Sequence, residues 1–177
     1  MKKFLTIIFG IFVVLSFAGC KSTPVVEEEL IEEEIIFKHP ESYHFEVFTY
    51  TGKYPNIQYK SLGIIEVPKD VPVKVETSEK RDGFKLELQE NKYELGTPAN
   101  SVELEYLIYE DVEVLRFTEI YEPNYFSAER IGKEFYRDIM PTIRENDRMT
   151  TYHFLTDGHG PRHELAKKFY EEVVLNQ

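Results

Sequence analysis

The sequence predicts an α+β domain: a mainly antiparallel β-sheet with two C-terminal helices packed on it. Three observations predict it. Between Tyr43 and Ile120 the chain runs through successive segments in which apolar and polar residues alternate. A period of two buries one face of a strand and wets the other, which is the pattern of antiparallel sheet. After Pro123 the apolar spacing lengthens to three or four residues, the helical period. Strands first and helices afterwards imply segregated layers, not alternating βαβ units.

The elements follow in order. Tyr43, Phe45 and Val47 alternate with His44, Glu46 and Phe48, and an Ile- and Tyr-containing run extends from Ile57 to Val67. Val71, Val73 and Val75 form a third run; Pro72 places it at a sheet edge, because proline offers no ladder donor. Phe84, Leu86 and Leu88 form a fourth, with the polar residues 78–83 read as a hairpin loop ending in Asp82-Gly83. Val102, Leu104, Tyr106 and Ile108, then Val112, Val114, Leu115, Phe117 and Ile120, read as two longer strands joined tightly at Glu110-Asp111. They are rich in Val, Ile, Tyr and Phe, which pack well on a pleated surface. Ala128, Ile131, Phe135, Ile139 and Ile143 predict a first helix, with Ser127 as its N-cap, Glu129 in its first turn and Pro141 ending or kinking it. Tyr152 and Phe154 give a last short strand. Pro161 suits the first position of a second helix, whose apolar stripe is Leu165, Phe169 and Val173.

Composition narrows the class. Of 177 residues, 42% are hydrophobic and 14% aromatic, all Phe and Tyr, as in a chain that builds a packed core. The formal charge of −11 repels phosphate backbones and anionic headgroups, so neither nucleic acid nor a membrane held by basic residues is an expected partner. The one cysteine, Cys20, has no partner for an intramolecular disulfide.

That cysteine stands at the end of a recognisable leader. Lys2 and Lys3 form a positive segment, residues 4–17 are apolar apart from Thr6, Gly10 and Ser16, and the small residues Ala18 and Gly19 precede Cys20. The apolar run is shorter than the roughly 20 residues that span a bilayer, but suits the roughly 7–15 of a signal-peptide core. The pattern resembles the prokaryotic lipoprotein signal with its lipobox, over residues 1–20 only; Phe17 stands where that class usually has an aliphatic residue. The resemblance implies diacylglycerol on the Cys20 sulfur, cleavage before Cys20, and a mature chain that is extracytoplasmic and lipid-anchored to a bacterial cell membrane, inner or outer. Such lipoproteins carry two or three fatty chains, and two suffice for stable anchoring. Cleavage would remove Lys2 and Lys3 and leave the mature chain more acidic still.

The expected organisation is a signal peptide (residues 1–19), a lipidated cysteine with an acidic tether (20–40) and one α+β domain (41–177). Within the tether, Glu27, Glu28, Glu29, Glu32, Glu33 and Glu34 are interleaved with Val26, Leu30, Ile31, Ile35 and Ile36. The apolar spacing fits neither period, and there is no Gly or alternating oxygen-ligand pattern of a calcium loop, so a solvated spacer is expected.

The densest functional cluster is His153, Asp157, His159 and His163. Imidazoles with a carboxylate are a common zinc or iron ligand set, and Gly158 and Gly160 allow a sharp turn between them. Their spacing matches no H-E-x-x-H signature, Asp157-Gly158 is ordinary turn chemistry, and Gly160-Pro161 is an ordinary helix start. They are expected to be loop residues, with metal binding or metal-dependent hydrolysis as the alternative. There is no G-x-S-x-G, P-loop or G-x-G-x-x-G, and no residue is singled out as catalytic. Tyr50, Tyr54, Tyr59, Tyr121 and Tyr125 fall at strand ends or loops and are candidates either for a ligand groove or for edge packing. The expectation is an envelope lipoprotein with a non-catalytic binding or structural role, no cofactor, and an envelope protein or the cell wall as its partner.

Overall fold

A computed structural model of the chain describes residues 38–136, 140–155 and 160–177. Cys20, the acidic segment 25–37, Asp157 and His159 lie outside the described residues. Lys38–Gln177 form one compact unit.

The domain is mainly antiparallel β, built from β1 (Ser42–Thr51), β2 (Gln58–Pro68), β3 (Val73–Glu76), β4 (Gly83–Leu88), β5 (Tyr93–Thr97), β6 (Ser101–Tyr109), β7 (Val112–Ile120), β8 (Gly132–Tyr136), β9 (Met140–Glu145) and β10 (Arg148–Phe154). The strands form two sheets. Sheet A has the order β2-β1-β4-β5, and sheet B the order β3-β6-β7-β10-β9-β8. One α-helix, α1 (Gly160–Phe169), follows and continues as a π-helical turn at Tyr170–Val174. Among the described residues no helix is long and apolar enough to cross a membrane.

The alternation seen in the sequence decides what each face meets. Phe45, Val47, Phe84, Leu86, Leu88 and Leu95 project from sheet A into one core with Val102, Leu104, Tyr106, Leu115 and Phe117 of sheet B. Each fully buried side chain of this size stabilises the fold by about 1.5–3 kcal/mol. The other face of sheet B presents Val114, Ile143, Tyr152 and Phe154 to Ala166, Phe169 and Val174 of the helical segment. The layers are therefore sheet A, sheet B and α1. Strand β7 is covered on both sides, Val114 facing the helix and Leu115 facing sheet A.

Two expectations are corrected. The described residues between 128 and 143 form no α-helix. Only Ala128–Arg130 make a single 3-10 turn; β8 and β9 then pair as an antiparallel hairpin, Lys133 opposite Ile143, and β9 pairs with β10, Ile143 opposite Thr150. The three- to four-residue spacing there is an accident of which strand residues are apolar, and pairing across the sheet overrides it. Pro141 lies past Thr142, the last β9 residue paired with β10, so it removes no donor from that ladder. Among the described residues there is accordingly one C-terminal α-helix where two were expected. Residues 78–83, in turn, do not close a hairpin. They carry the chain from β3 in sheet B to β4 in sheet A. The β6–β7 hairpin is as the sequence predicts, with both Glu110 (φ 47°) and Asp111 (φ 60°) in the left-handed region that a tight two-residue turn demands. The run after Pro72 does form an edge, since β3 ends sheet B.

Candidate functional site

Sheet A has four strands and sheet B six, so the free edge of β5 leaves part of the inner face of sheet B uncovered. A cavity of about 320 Å³ opens there. The ladder fixes what lines it. Leu115, Phe117 and Glu119 share the inner face of β7; opposite them on β10 stand His153, Thr151 and Met149; beyond these on β9, Thr142 faces Thr151 and Arg144 faces Met149. Leu95, Phe117, Met140 and Met149 make the walls largely apolar, and methionines adapt readily to the shape of an occupant.

Two hydrogen bonds tie β5 to sheet B, one at each end of this opening. At one end the Thr97 hydroxyl donates to Oε1 of Glu119, which also accepts from the Tyr121 hydroxyl at 2.8 Å. Glu119 is only 6% exposed. Burial pushes its carboxyl above the usual carboxylate range, and the Thr97 and Tyr121 hydrogen bonds and the Arg144 charge pull it part of the way back. At the other end Nδ1 of His153 lies 3.0 Å from the Tyr93 hydroxyl, with the ring between those of Tyr93 and Phe117. Loss of water lowers the His153 pKa to about 4, so the imidazole is neutral at physiological pH.

Glu119 and His153 sit two inner-face positions apart along the ladder, Glu119 opposite Met149 and His153 opposite Leu115. Four residues of strand are roughly 13 Å. That is far beyond the roughly 3 Å over which an acid and a base exchange a proton. The two groups can grip opposite ends of one small molecule, but they cannot act on a single atom.

A second cavity, of about 390 Å³, lies on the outer face of sheet B. Its cations are already engaged. Arg116 pairs with Glu105 at 2.5 Å, Arg148 with Glu103 at 3.3 Å, and the Lys133 ammonium donates to the carbonyl oxygens of Val174 and Gln177. These contacts pin the end of the helical segment to β8 and use up the charge a ligand would need.

Of the four residues of the His153/Asp157/His159/His163 cluster, only His153 and His163 are among the described residues, and they lie on different elements. His153 belongs to the inner-face cleft, whereas His163 lies on α1, which packs against the outer face. Among the described residues no group of three His, Cys, Asp or Glu side chains could hold a metal. Nor do the tyrosines line one groove. Tyr50 and Tyr59 meet edge to face on the outer side of sheet A, Tyr121 stacks on Tyr125 at 4.2 Å, and Tyr54 is 90% exposed. Glu119, Arg144 and Tyr93 were not singled out in the sequence. For Glu119 the signal was present: Leu115, Phe117, Glu119 and Tyr121 keep one phase of the β7 alternation, which sets the carboxyl on the core side. Comparison with protein families, with curated proteins and with solved structures finds no match for this chain.

Proposed function

We propose that the chain is a lipid-anchored lipoprotein of a bacterial cell envelope whose β domain binds a ligand without transforming it. The observation that carries the binding role is the cleft at the free edge of β5. Its two ionisable groups of altered pKa, Glu119 and His153, are each held by a hydrogen bond to β5 and stand roughly 13 Å apart, which suits holding and not proton transfer. Apolar walls with a few fixed polar groups are the usual make-up of a small-molecule site. The anchor is supported by the Lys2-Lys3 segment, the short apolar run and Ala18-Gly19-Cys20. The strong negative charge argues in the same direction, because a surface so acidic is repelled by anionic headgroups and needs a covalent tie to stay at a membrane.

The anchor is tested by Cys20→Ser in the full chain, expressed in a bacterial host with labelled fatty acid. The variant is expected to lose the label, accumulate as precursor and leave the pattern of membrane partitioning shown by the parent. A variant that matures and fractionates like the parent refutes the anchor. Crosslinking at the envelope is expected to capture a defined partner if the role extends to a protein or wall component.

A further inference from the structure

We infer that the cleft between β5 and the β7–β10–β9 face takes an organic cation: a small amine with an apolar or aromatic body, its ammonium against Glu119 and its body along Phe117, Leu95 and the two methionines. This inference rests on the binding role proposed above and names the ligand class of that site.

Four observations lead to it. First, both hydrogen bonds made by the Glu119 carboxyl arrive at Oε1, from Thr97 and from Tyr121. Among the described residues Oε2 has none, and it is the oxygen of this 6% exposed residue that stays open to the cavity the residue lines. That oxygen keeps its acceptor capacity free for a donor that enters the cleft. Second, the one permanently charged cation lining the cleft, Arg144, is already paired with Glu134 of β8. An entering carboxylate therefore meets a guanidinium already engaged by Glu134, whereas an entering ammonium meets a carboxyl with an open oxygen, although the Arg144 charge also reaches that carboxyl. Third, His153 at the far end carries no charge at neutral pH, so it neither repels a cation nor attracts an anion. Fourth, the chain as a whole carries −11, which raises the local concentration of cations and lowers that of anions.

The walls set the rest of the ligand. They are mostly apolar, with Thr142 and Thr151 as the neutral polar groups between the two ends. A cavity of about 320 Å³ lies at the lower end of the range for small-molecule sites. An ammonium on a short apolar chain or a single ring fills it; a nucleotide or an oligosaccharide does not. Binding also has a proton signature. Glu119 on β7 is faced by Thr97 from β5 and Arg144 from β9, with Tyr121 beside it on its own chain segment and Glu134 on β8 holding Arg144; His153 on β10 is at the far end. Of these, Glu119 is the group that a cation would drive to ionise, so at mildly acid pH the complex forms with release of a proton.

The experiment is calorimetric titration of the full-length protein, in detergent, with three probes of one shape: phenethylamine, 2-phenylethanol and phenylacetate. The same titrations are made on Glu119→Gln. Its amide oxygen still accepts from Thr97 and Tyr121, so an unfolding midpoint no lower than that of the parent certifies that the fold is intact. Phenethylamine is expected to bind the parent most tightly, and Glu119→Gln to weaken it by about tenfold or more while leaving the alcohol unchanged, the scale of one charge-assisted hydrogen bond. Equal affinity for amine and alcohol, or an amine affinity indifferent to Glu119→Gln, overturns the cation assignment but leaves a binding cleft. Preference for phenylacetate overturns it as well. Failure of all three probes to bind overturns both the assignment and the role given to this cleft.

Discussion

The Tyr93 hydroxyl lies 3.0 Å from Nδ1 of His153, joining the edge strand of sheet A to an inner strand of sheet B. Four residues along β5, Thr97 makes the matching connection to Glu119 on β7. Strand β5 is thus fastened to the opposite sheet at both ends, and the cleft beside it has a fixed width. The two fastenings also hold two side chains whose ionisation the fold shifts in opposite senses, Glu119 upwards and His153 downwards.

Those two residues should pull the pH dependence of stability in opposite directions. The His153 pKa falls from 6.5 in the unfolded chain to about 4 in the folded one. Its contribution is complete above 6.5 and is lost as the pH falls towards 4, because only the unfolded state takes up the proton; the loss amounts to at most about 3 kcal/mol. Glu119 has a raised folded pKa. Its contribution is complete below the unfolded value of 4.5 and is lost as the pH rises through the folded value. Relative to the parent, His153→Gln should gain stability as the pH is lowered from 6.5 to 4, and Glu119→Gln should gain it as the pH is raised above 4.5. Urea midpoints measured across this range check both; parallel curves for parent and variant would refute the corresponding assignment.

How far the sequence foretold this follows from which forces act locally. The β6–β7 hairpin was legible because two alternating runs flank Glu110-Asp111, so pattern and turn agree. The β8–β9–β10 meander was not, because Ile131, Phe135, Ile139 and Ile143 happen to fall at helical spacing. The contrary signal was Asn146-Asp147 between β9 and β10, with Asn146 at φ 52°, the left-handed conformation that asparagine tolerates in a tight turn. Strand β5 is short and contains Gly96, so it left almost no period to read. As for the cleft, one buried carboxylate among 32 acidic residues is marked by the phase of its strand and by nothing in its own neighbourhood. That β5 ends sheet A beside it is a fact of strand order, which no local pattern encodes.

Tyr106 offers a test of the core. It is fully buried, its ring meets Tyr43 edge to face at 4.8 Å, and its hydroxyl has no hydrogen-bond partner among the described residues. A buried polar atom left unpaired costs about 1–3 kcal/mol. Tyr106→Phe keeps the ring contact and removes that atom, so the variant is expected to be more stable than the parent by about 1 kcal/mol. Equilibrium unfolding in urea measures it; a clear loss of stability would mean that the hydroxyl is satisfied after all.

Gly83 opens β4 where the chain arrives from the other sheet. A Cβ built there would stand 2.2 Å from the Thr97 carbonyl oxygen and 2.4 Å from the Tyr50 hydroxyl. The tyrosine can swing away, but the carbonyl belongs to the paired strand β5. Gly83→Ala should therefore cost about 1–3 kcal/mol, as overpacking typically does. Because Thr97 is the residue displaced, the variant should also disturb the Glu119 end of the cleft. Backbone amide shifts that spread from Thr97 to Glu119 in the NMR spectrum are the expected readout, and shifts confined to residues 82–84 would contradict it.

Zinc provides a test of the histidines. The His153 ring is held between Tyr93 and Phe117 on the inner face of sheet B, while the helix that carries His163 covers the outer face. One ion binding both would have to join groups on opposite faces of sheet B. Titrating zinc into the protein is expected to leave the His153 ring resonances in place. A specific zinc-dependent shift of those resonances would favour the four-residue cluster as a metal site.

The helix and the cleft lie on opposite faces of sheet B, which makes them separable by mutation. Phe169 is 3% exposed and packs against Tyr109, Tyr152 and Phe154, with ring centroids 5.0, 4.9 and 5.5 Å away. Phe169→Ala deletes the centre of that cluster and should cost about 3–5 kcal/mol, the usual range for a buried phenylalanine. None of these rings lines the cleft, whose β10 residues Met149, Thr151 and His153 project the other way. At temperatures where the variant remains folded, its affinity for phenethylamine should match that of the parent. Thermal unfolding and calorimetric titration on one preparation decide the matter. A variant that loses ligand affinity along with stability would show that sheet B transmits helix packing to its inner face, and that the two sites are one coupled structure.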